Sequence, residues 1–178
     1  LISLKQYRET FFFPVAQFYQ TLGLPSSGPK YEKLAGDYIR AYRERFKECE
    51  LSQRAFETVG ALSDLGVSQS ILSAGGQQDV ENFVSFYQLD HWIGFIDGAD
   101  NIEASGKGER ASAHLSRLGF DKKEVLLVGD TLHDLEVANL LGCQTLLYSG
   151  GHADELRLIQ STDQIIRSLY EVVGWVHD

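Results

Sequence analysis

Methionine is missing from this sequence altogether, and the chain opens on Leu1. The expectation is that residues precede it. Cysteine is scarce: Cys49 and Cys143 form no C-x-x-C pair. Two isolated cysteines make no disulfide framework and read as reduced thiols of a cytoplasmic protein. Basic residues are in the minority, with 16 Lys and Arg against 25 Asp and Glu and a net charge of −9. That balance disfavours nucleic acid or an anionic membrane as partner. An anionic ligand then has to be held locally, by a few lysines, backbone N–H groups or a metal. No apolar run approaches the ~18 to 20 residues of a membrane span. No strand is followed by G-x-G-x-x-G or by G-x-x-x-x-G-K-[ST], which excludes the common nucleotide-binding loops. There is no G-x-S-x-G elbow for an acyl-transfer triad. No Cys or His cluster suggests zinc, although His133 and His152 lie near the acids discussed below.

What is present is an ordinary globular composition, 178 residues with 43% hydrophobic and 23% charged. It fits one domain, or a core with a small appendage. Roughly the first 65 residues read as helical. Ser3 with Gln6 makes an S-x-x-Q capping box before "LKQYRETFFF". Pro14 opens "PVAQFYQTLG", which Gly23 and Pro25 stop, and "LPSSGP" is the one linker-like stretch. A long helix follows over about "KYEKLAGDYIRAYRERFKECE", with Tyr31, Leu34, Tyr38, Ile39, Tyr42 and Phe46 at spacings of three and four. Its aromatics read as helix packing and its "YRERFKECE" as a solvated face with charged pairs. "QRAFETVGALSDLG" is another helix, ended by Gly66.

After Gly66 strand and helix alternate. "SQSILS", "WIGFIDGAD", "EVLLVGD" and "QTLLYSGG" read as strands; "DVENFVSFYQL", "KGERASAHLSRLG", "LHDLEVANLLG" and "ADELRLIQ" read as helices. "DQIIRSLYEVVGWV" is a mixed ending. The unalternating "EVLLVGD" predicts a strand buried on both faces. Such alternation predicts an α/β fold, a three-layer Rossmann-like parallel sheet with helices on both faces. Residues 61–178 form this core, and residues 1–60 an N-terminal α-helical cap.

In open parallel sheets ligands bind at the carboxyl ends of strands. The first strand delivers Ser73, Ala74, Gly75 and Gly76 there. The second delivers Asp97 and Asp100 and runs on to Gly106-Lys107-Gly108. The third delivers Gly129, Asp130, Thr131 and Asp134, and the fourth Ser149, Gly150, Gly151 and His152. A serine beside Gly-Gly is by itself an ordinary turn, and Asp134 by itself an ordinary first-turn acid. Lys107 opposes the helix dipole at a helix start, which favours a ligand. Asp130 ends a buried strand, where a carboxylate without a partner is costly. Together, a hydroxyl beside backbone N–H groups, a lysine and two acids suit a phosphate and Mg²⁺, and hence phosphoryl transfer.

In this order the segments resemble the haloacid-dehalogenase superfamily of phosphohydrolases. "SILSAGG" resembles its second signature, Lys107 in "ASGKGERASAHLSRLG" its third, and "VLLVGDTLHDLEVA" its fourth, G-D-x-x-x-D. "HWIGFIDGADNIEASGKG" and the helical N-terminal region resemble the phosphoglycolate-phosphatase-like branch. The resemblance implies that Ser73 and the N–H of Ala74 bind a phosphate oxygen, and that Lys107 bridges phosphate and nucleophile. It implies that Asp130 ligates Mg²⁺ and that Asp134 supports the metal or holds Lys107. The substrate class implied is a small phosphorylated metabolite. The family's first signature, D-x-D, occurs nowhere in the chain. Two accounts stay open, a relative without a nucleophile or a first core strand upstream of Leu1. The second is favoured, because the strands ending in Ser73 and Asp130 would otherwise flank a gap with unpaired backbone groups. The functions compared are thus a Mg²⁺-dependent phosphatase, a sugar-phosphate phosphomutase and an inactive binding module.

Overall fold

The computed structural model describes residues 2–99 and 107–177, without the side chain of Lys107; Asp100 and residues 101–106 lie outside the described residues. In chain order the elements are α1 (Leu4–Thr10), α2 (Val15–Thr21), α3 (Gly28–Arg45), α4 (Ala55–Asp64), β1 (Gln69–Gly76), α5 (Gln77–Phe86), β2 (Ile93–Ala99), α6 (Lys107–Leu118), β3 (Leu126–Gly129), α7 (Leu132–Leu141), β4 (Gln144–Tyr148), α8 (Glu155–Ile159), β5 (Ile165–Ile166) and α9 (Glu171–His177). The mixed ending therefore resolves into a two-residue strand and a closing helix. Local chemistry explains the boundaries. Ser3 Oγ accepts from Gln6 N at 3.1 Å while Gln6 Oε1 accepts from Ser3 N at 2.9 Å, the reciprocal box that starts α1. The expected stop glycines adopt positive φ, +69° at Gly23, +77° at Gly66, +74° at Gly119 and +70° at Gly142.

By its own contacts the chain forms two compact units, Leu1–Phe12 with Ser52–Thr58 and Gly106–Asp178, and Phe13–Leu51 with Val59–Ser105. In the first, the sheet order is β3-β4-β5, all parallel. β4 is hydrogen-bonded on both edges, and its Leu146 and Leu147 are fully buried. Leu147 packs with Ala153 and Leu158, and Leu132, Leu135 and Ile165 close around them. Residues 1–12, grouped by sequence with the cap, make their contacts in this unit. Asp154 N donates to Arg8 O at 3.0 Å, and Arg157 Nη1 donates to Arg8 O at 3.0 Å and Phe11 O at 2.8 Å. A guanidinium thus satisfies carbonyls that the end of α1 leaves without helical partners.

The second unit has the parallel pair β1-β2. α3 meets α5 through a two-pronged ion pair, Arg43 Nε to Asp79 Oδ1 at 2.7 Å and Nη2 to Oδ2 at 3.0 Å. Tyr87 donates to Cys49 O, and Phe46 meets Phe86 edge to face at 5.5 Å. Of the aromatic stripe on α3, Tyr31 is buried, whereas Tyr38 and Tyr42 are exposed. Lys33–Asp37, Arg40–Asp37 and Arg45–Glu48 pairs confirm the charged face.

The strands are parallel and interleaved with helices, as expected of an α/β fold. The described strands form two hydrogen-bonded sets, β1-β2 and β3-β4-β5. One feature differs from the sequence reading: β3 is not buried on both faces, since Val128 is 40% exposed. Only β4 pairs with β3 among the described residues, so its apolar run lacks the second neighbour that a central strand has.

Gly36 lies inside α3, with open space where a Cβ would stand. Gly36→Ala is expected to stabilise the protein by about 0.5–1 kcal/mol, since an interior helix glycine carries that penalty. Chemical denaturation reads it, and an unchanged midpoint contradicts the packing described for α3.

Candidate active site

The carboxyl end of β3 is built around Asp134. This residue is the third of α7, and its side chain turns back over the start of its own helix. Asp134 Oδ2 accepts from Asp130 N at 3.1 Å, Thr131 N at 3.0 Å and Thr131 Oγ1 at 2.7 Å. The two N–H groups are backbone donors that a strand-to-helix turn would otherwise leave unmatched. Asp134 and Thr131 are both buried, so losing the acceptor would leave buried donors at about 1–3 kcal/mol each.

Asp130 stands on the same turn, half-buried. Its Oδ2 accepts from His152 N at 2.7 Å, and its carbonyl accepts from Ala153 N at 3.3 Å. The loop after β4 is therefore wrapped onto the loop after β3. Two glycines make room. An added Cβ at Gly129 would stand 2.7 Å from Asp134 Oδ2 and closer to its Cβ and Cγ. At Gly151 it would collide with Asp130 Oδ2, Cβ and Cγ.

The structure thus brings Asp130 and Asp134 together and separates their tasks. Asp134 Oδ2 is engaged with the turn, whereas among the described residues only Oδ2 of Asp130 takes a hydrogen bond. Whether such a set suits a cation follows from its donor chemistry. No group of three or more His, Cys, Asp or Glu converges as a cage among the described residues. Mg²⁺ needs none, since it keeps several waters and takes one or two carboxylates together with substrate phosphate. Asp130, a hard-oxygen ligand with one oxygen oriented by a backbone N–H, fits that demand.

Ser73 and Ala74 lie near the end of β1 in the other unit, both half-buried. Ser73 Oγ accepts from Gly75 N at 3.0 Å, which tightens the turn into α5. Asp97 on β2 is in register with Leu72, one residue before Ser73. Lys107 is the first residue of α6; its side chain, like Asp100, lies outside the described residues.

The sequence marked Gly150, Gly151 and His152 only as residues at a strand end, and the structure gives them neighbours. Tyr7 Oη lies 2.8 Å from His152 Nδ1, Phe11 stacks on Tyr7 at 4.9 Å, and Arg8 Nη2 donates to Gly150 O at 3.4 Å. Nothing in a run of helix-forming residues could announce that α1 would hold this loop. His133 is engaged locally, with Nδ1 3.0 Å from Glu136 Oε2.

A family model for haloacid dehalogenase-like hydrolases matches residues 2–148. The chain belongs to that family. No curated protein matches it significantly. Solved structures of similar fold include a predicted phosphoglycolate phosphatase from Haemophilus somnus 129PT, at 15% identity and TM-score 0.75 over 97% of this chain and 80% of the other. A predicted phosphatase from Clostridium acetobutylicum has 14% identity and TM-score 0.77 over 99% and 83%. Protein Tyrosine Kinase A of Mycobacterium tuberculosis has 17% identity and TM-score 0.74 over 98% and 82%. At these identities the likeness is one of fold. The haloacid dehalogenase-like membership agrees with the α/β architecture and the hydrolase class that the strand-end residues suggested.

Gly151→Ala tests the packing of the β4 loop on Asp130. The added methyl is expected to cost about 1–3 kcal/mol, lowering Tm by about 2–4 °C per kcal/mol. A melting curve superimposable on wild type would contradict the close approach.

Proposed function

We propose that this haloacid dehalogenase-like protein is a Mg²⁺-dependent phosphatase of a small organic phosphomonoester, similar in chemistry to a phosphoglycolate phosphatase. The observation that carries the reading is the division of labour at the end of β3. Asp134 spends one oxygen on fixing the turn, and Asp130 is left oriented by a single backbone N–H. That is how a protein presents one carboxylate to a hard cation without leaving the other without partners.

The roles follow from side-chain chemistry. Ser73 Oγ and the Ala74 N–H hold a phosphate oxygen; Lys107 neutralises the same anion as a point charge. Asp130 holds the metal, with Asp134 supporting it through the turn. Mg²⁺, when bound, supplies positive charge against the phosphoryl oxygens. The reaction passes through an aspartyl-phosphate. Its attacking carboxylate is not assigned to residues 1–178, in which no D-x-D occurs. The nucleophile's oxygen bonds to phosphorus as the bond to the ester oxygen breaks, and that oxygen takes a proton from water to leave as an alcohol. A water oxygen then bonds to phosphorus, the acyl-phosphate bond breaks, and inorganic phosphate and the carboxylate are released with the water's proton returned to solvent. The helical cap, read from the sequence as residues 1–60 and represented in the second unit by Phe13–Leu51, selects the substrate.

The partner is a small phosphorylated metabolite rather than nucleic acid or a membrane surface, consistent with a net charge of −9. Among the described residues no helix is long and apolar enough to cross a membrane. Cys49 is an exposed free thiol and Cys143 a half-buried one, which suits the reducing cytoplasm.

In the full-length protein, Lys107→Ala and Asp130→Asn are expected to lower kcat/KM for a phosphomonoester by at least about a hundredfold, the scale of losing one charge-stabilising group. Circular dichroism should stay close to wild type. Addition of EDTA should silence the wild type, and Mg²⁺ should restore it. Near-normal turnover in either variant refutes the role assignment.

A further inference from the structure

The ladder between β1 and β2 is in regular register from Ser70↔Phe95 to Leu72↔Asp97 and resumes at Gly76↔Ala99. Three residues of β1, Ser73, Ala74 and Gly75, therefore stand opposite one residue of β2, Gly98. Extra residues on one strand bulge out and leave groups of the partner strand without a rung. Here a side chain supplies it. Gln77 Oε1 accepts from Gly98 N at 2.5 Å, and Gln77 Nε2 donates to Ile96 O at 3.3 Å. The same amide donates to Glu81 Oε1 at 2.6 Å, one turn further along α5. The fit is close on the backbone side too: a Cβ at Gly98 would stand 2.5 Å from Gln77 N and 3.0 Å from the carbonyl carbon of Gly76.

A carboxamide can do this because it repeats the peptide group, with one acceptor and two donors in a plane. An acid lacks the donors and an alkyl chain lacks both functions. The arrangement holds the bulge between the Leu72↔Asp97 and Gly76↔Ala99 pairs. Within the bulge, Ser73 Oγ accepts from Gly75 N at 3.0 Å.

We infer that Gln77 is a positioning residue for phosphate. Its side-chain amide replaces the missing rung of the sheet and so holds Ser73 and Ala74 in the bulged conformation that receives a phosphoryl oxygen. The inference rests on the proposed phosphatase reading, in that Ser73 and Ala74 are taken as the phosphate subsite. It adds a residue that touches neither substrate nor metal.

The experiment uses the full-length protein with Mg²⁺ and inorganic orthophosphate as the probe, measured by isothermal titration calorimetry. KM and kcat for a phosphomonoester are measured alongside. Gln77→Leu is expected to weaken orthophosphate binding about tenfold, the effect of losing one or two part-buried hydrogen bonds. KM should rise in step and kcat should change less. Gln77→Glu keeps an acceptor for the Gly98 N–H but loses the donors to Ile96 O and Glu81 Oε1 and sets two carboxylates together, so its loss should also be about tenfold. Gln78→Leu, a change at the exposed neighbouring residue, should bind orthophosphate as wild type does. If Gln77→Leu does not fold, the Gln77→Glu value decides. Orthophosphate affinity and KM within twofold of wild type in the folded variant overturn the inference alone. A wild type that neither binds orthophosphate nor hydrolyses phosphomonoesters overturns the phosphatase reading, and this inference with it.

Discussion

One carboxylate oxygen organises the carboxyl end of β3. A strand that turns directly into a helix leaves several backbone N–H groups without carbonyl partners, and here the turn is buried. Asp134 Oδ2 collects two of those N–H groups and the Thr131 hydroxyl. The negative charge lies where the helix dipole favours it. Gly129 follows from the same constraint, because no side chain fits against the Asp134 carboxylate. With the turn fixed, Asp130 points where the β4 loop can reach it through His152 N. The geometry of the acidic end thus descends from one saturated acceptor.

The two described strand sets finish differently at their carboxyl ends. β3 ends in a side-chain-capped turn, whereas β1 ends in a bulge. A cap spends a carboxylate on structure and leaves its neighbour available. A bulge breaks backbone pairing and needs a substitute donor and acceptor, which Gln77 provides. Both devices solve one problem. A strand end that carries polar side chains still has to leave none of its backbone unmatched.

Much of this architecture is legible in the amino-acid sequence. The capping box at Ser3, the positive-φ glycines and the strand–helix alternation are local features, set by backbone sterics and nearest-neighbour hydrogen bonds. The G-D-x-x-x-D segment is legible because its acids lie one helical turn apart and act on the same few residues. The expected two-sided burial of β3 is not realised, since burial depends on which strands lie alongside, and Val128 has a paired strand on one side only. The extent of β1 also exceeds the sequence expectation: it continues past Ser73 through a bulge at Ala74 and Gly75 to Gly76, which pairs with Ala99.

The sequence by itself determined the parallel α/β class, the order of the elements up to about residue 160 and the identity of the acids, serine and lysine that suit phosphate chemistry. These follow from periodicity and residue type, which act over a few residues. Only the tertiary structure decided that Asp134 is tied to the turn while Asp130 is presented, that Gly151 makes way for Asp130, that Tyr7 and Arg8 grip the β4 loop, and that Gln77 completes a ladder 21 positions away. Such contacts join groups far apart along the chain. Their geometry is set by packing, which no short-range pattern encodes.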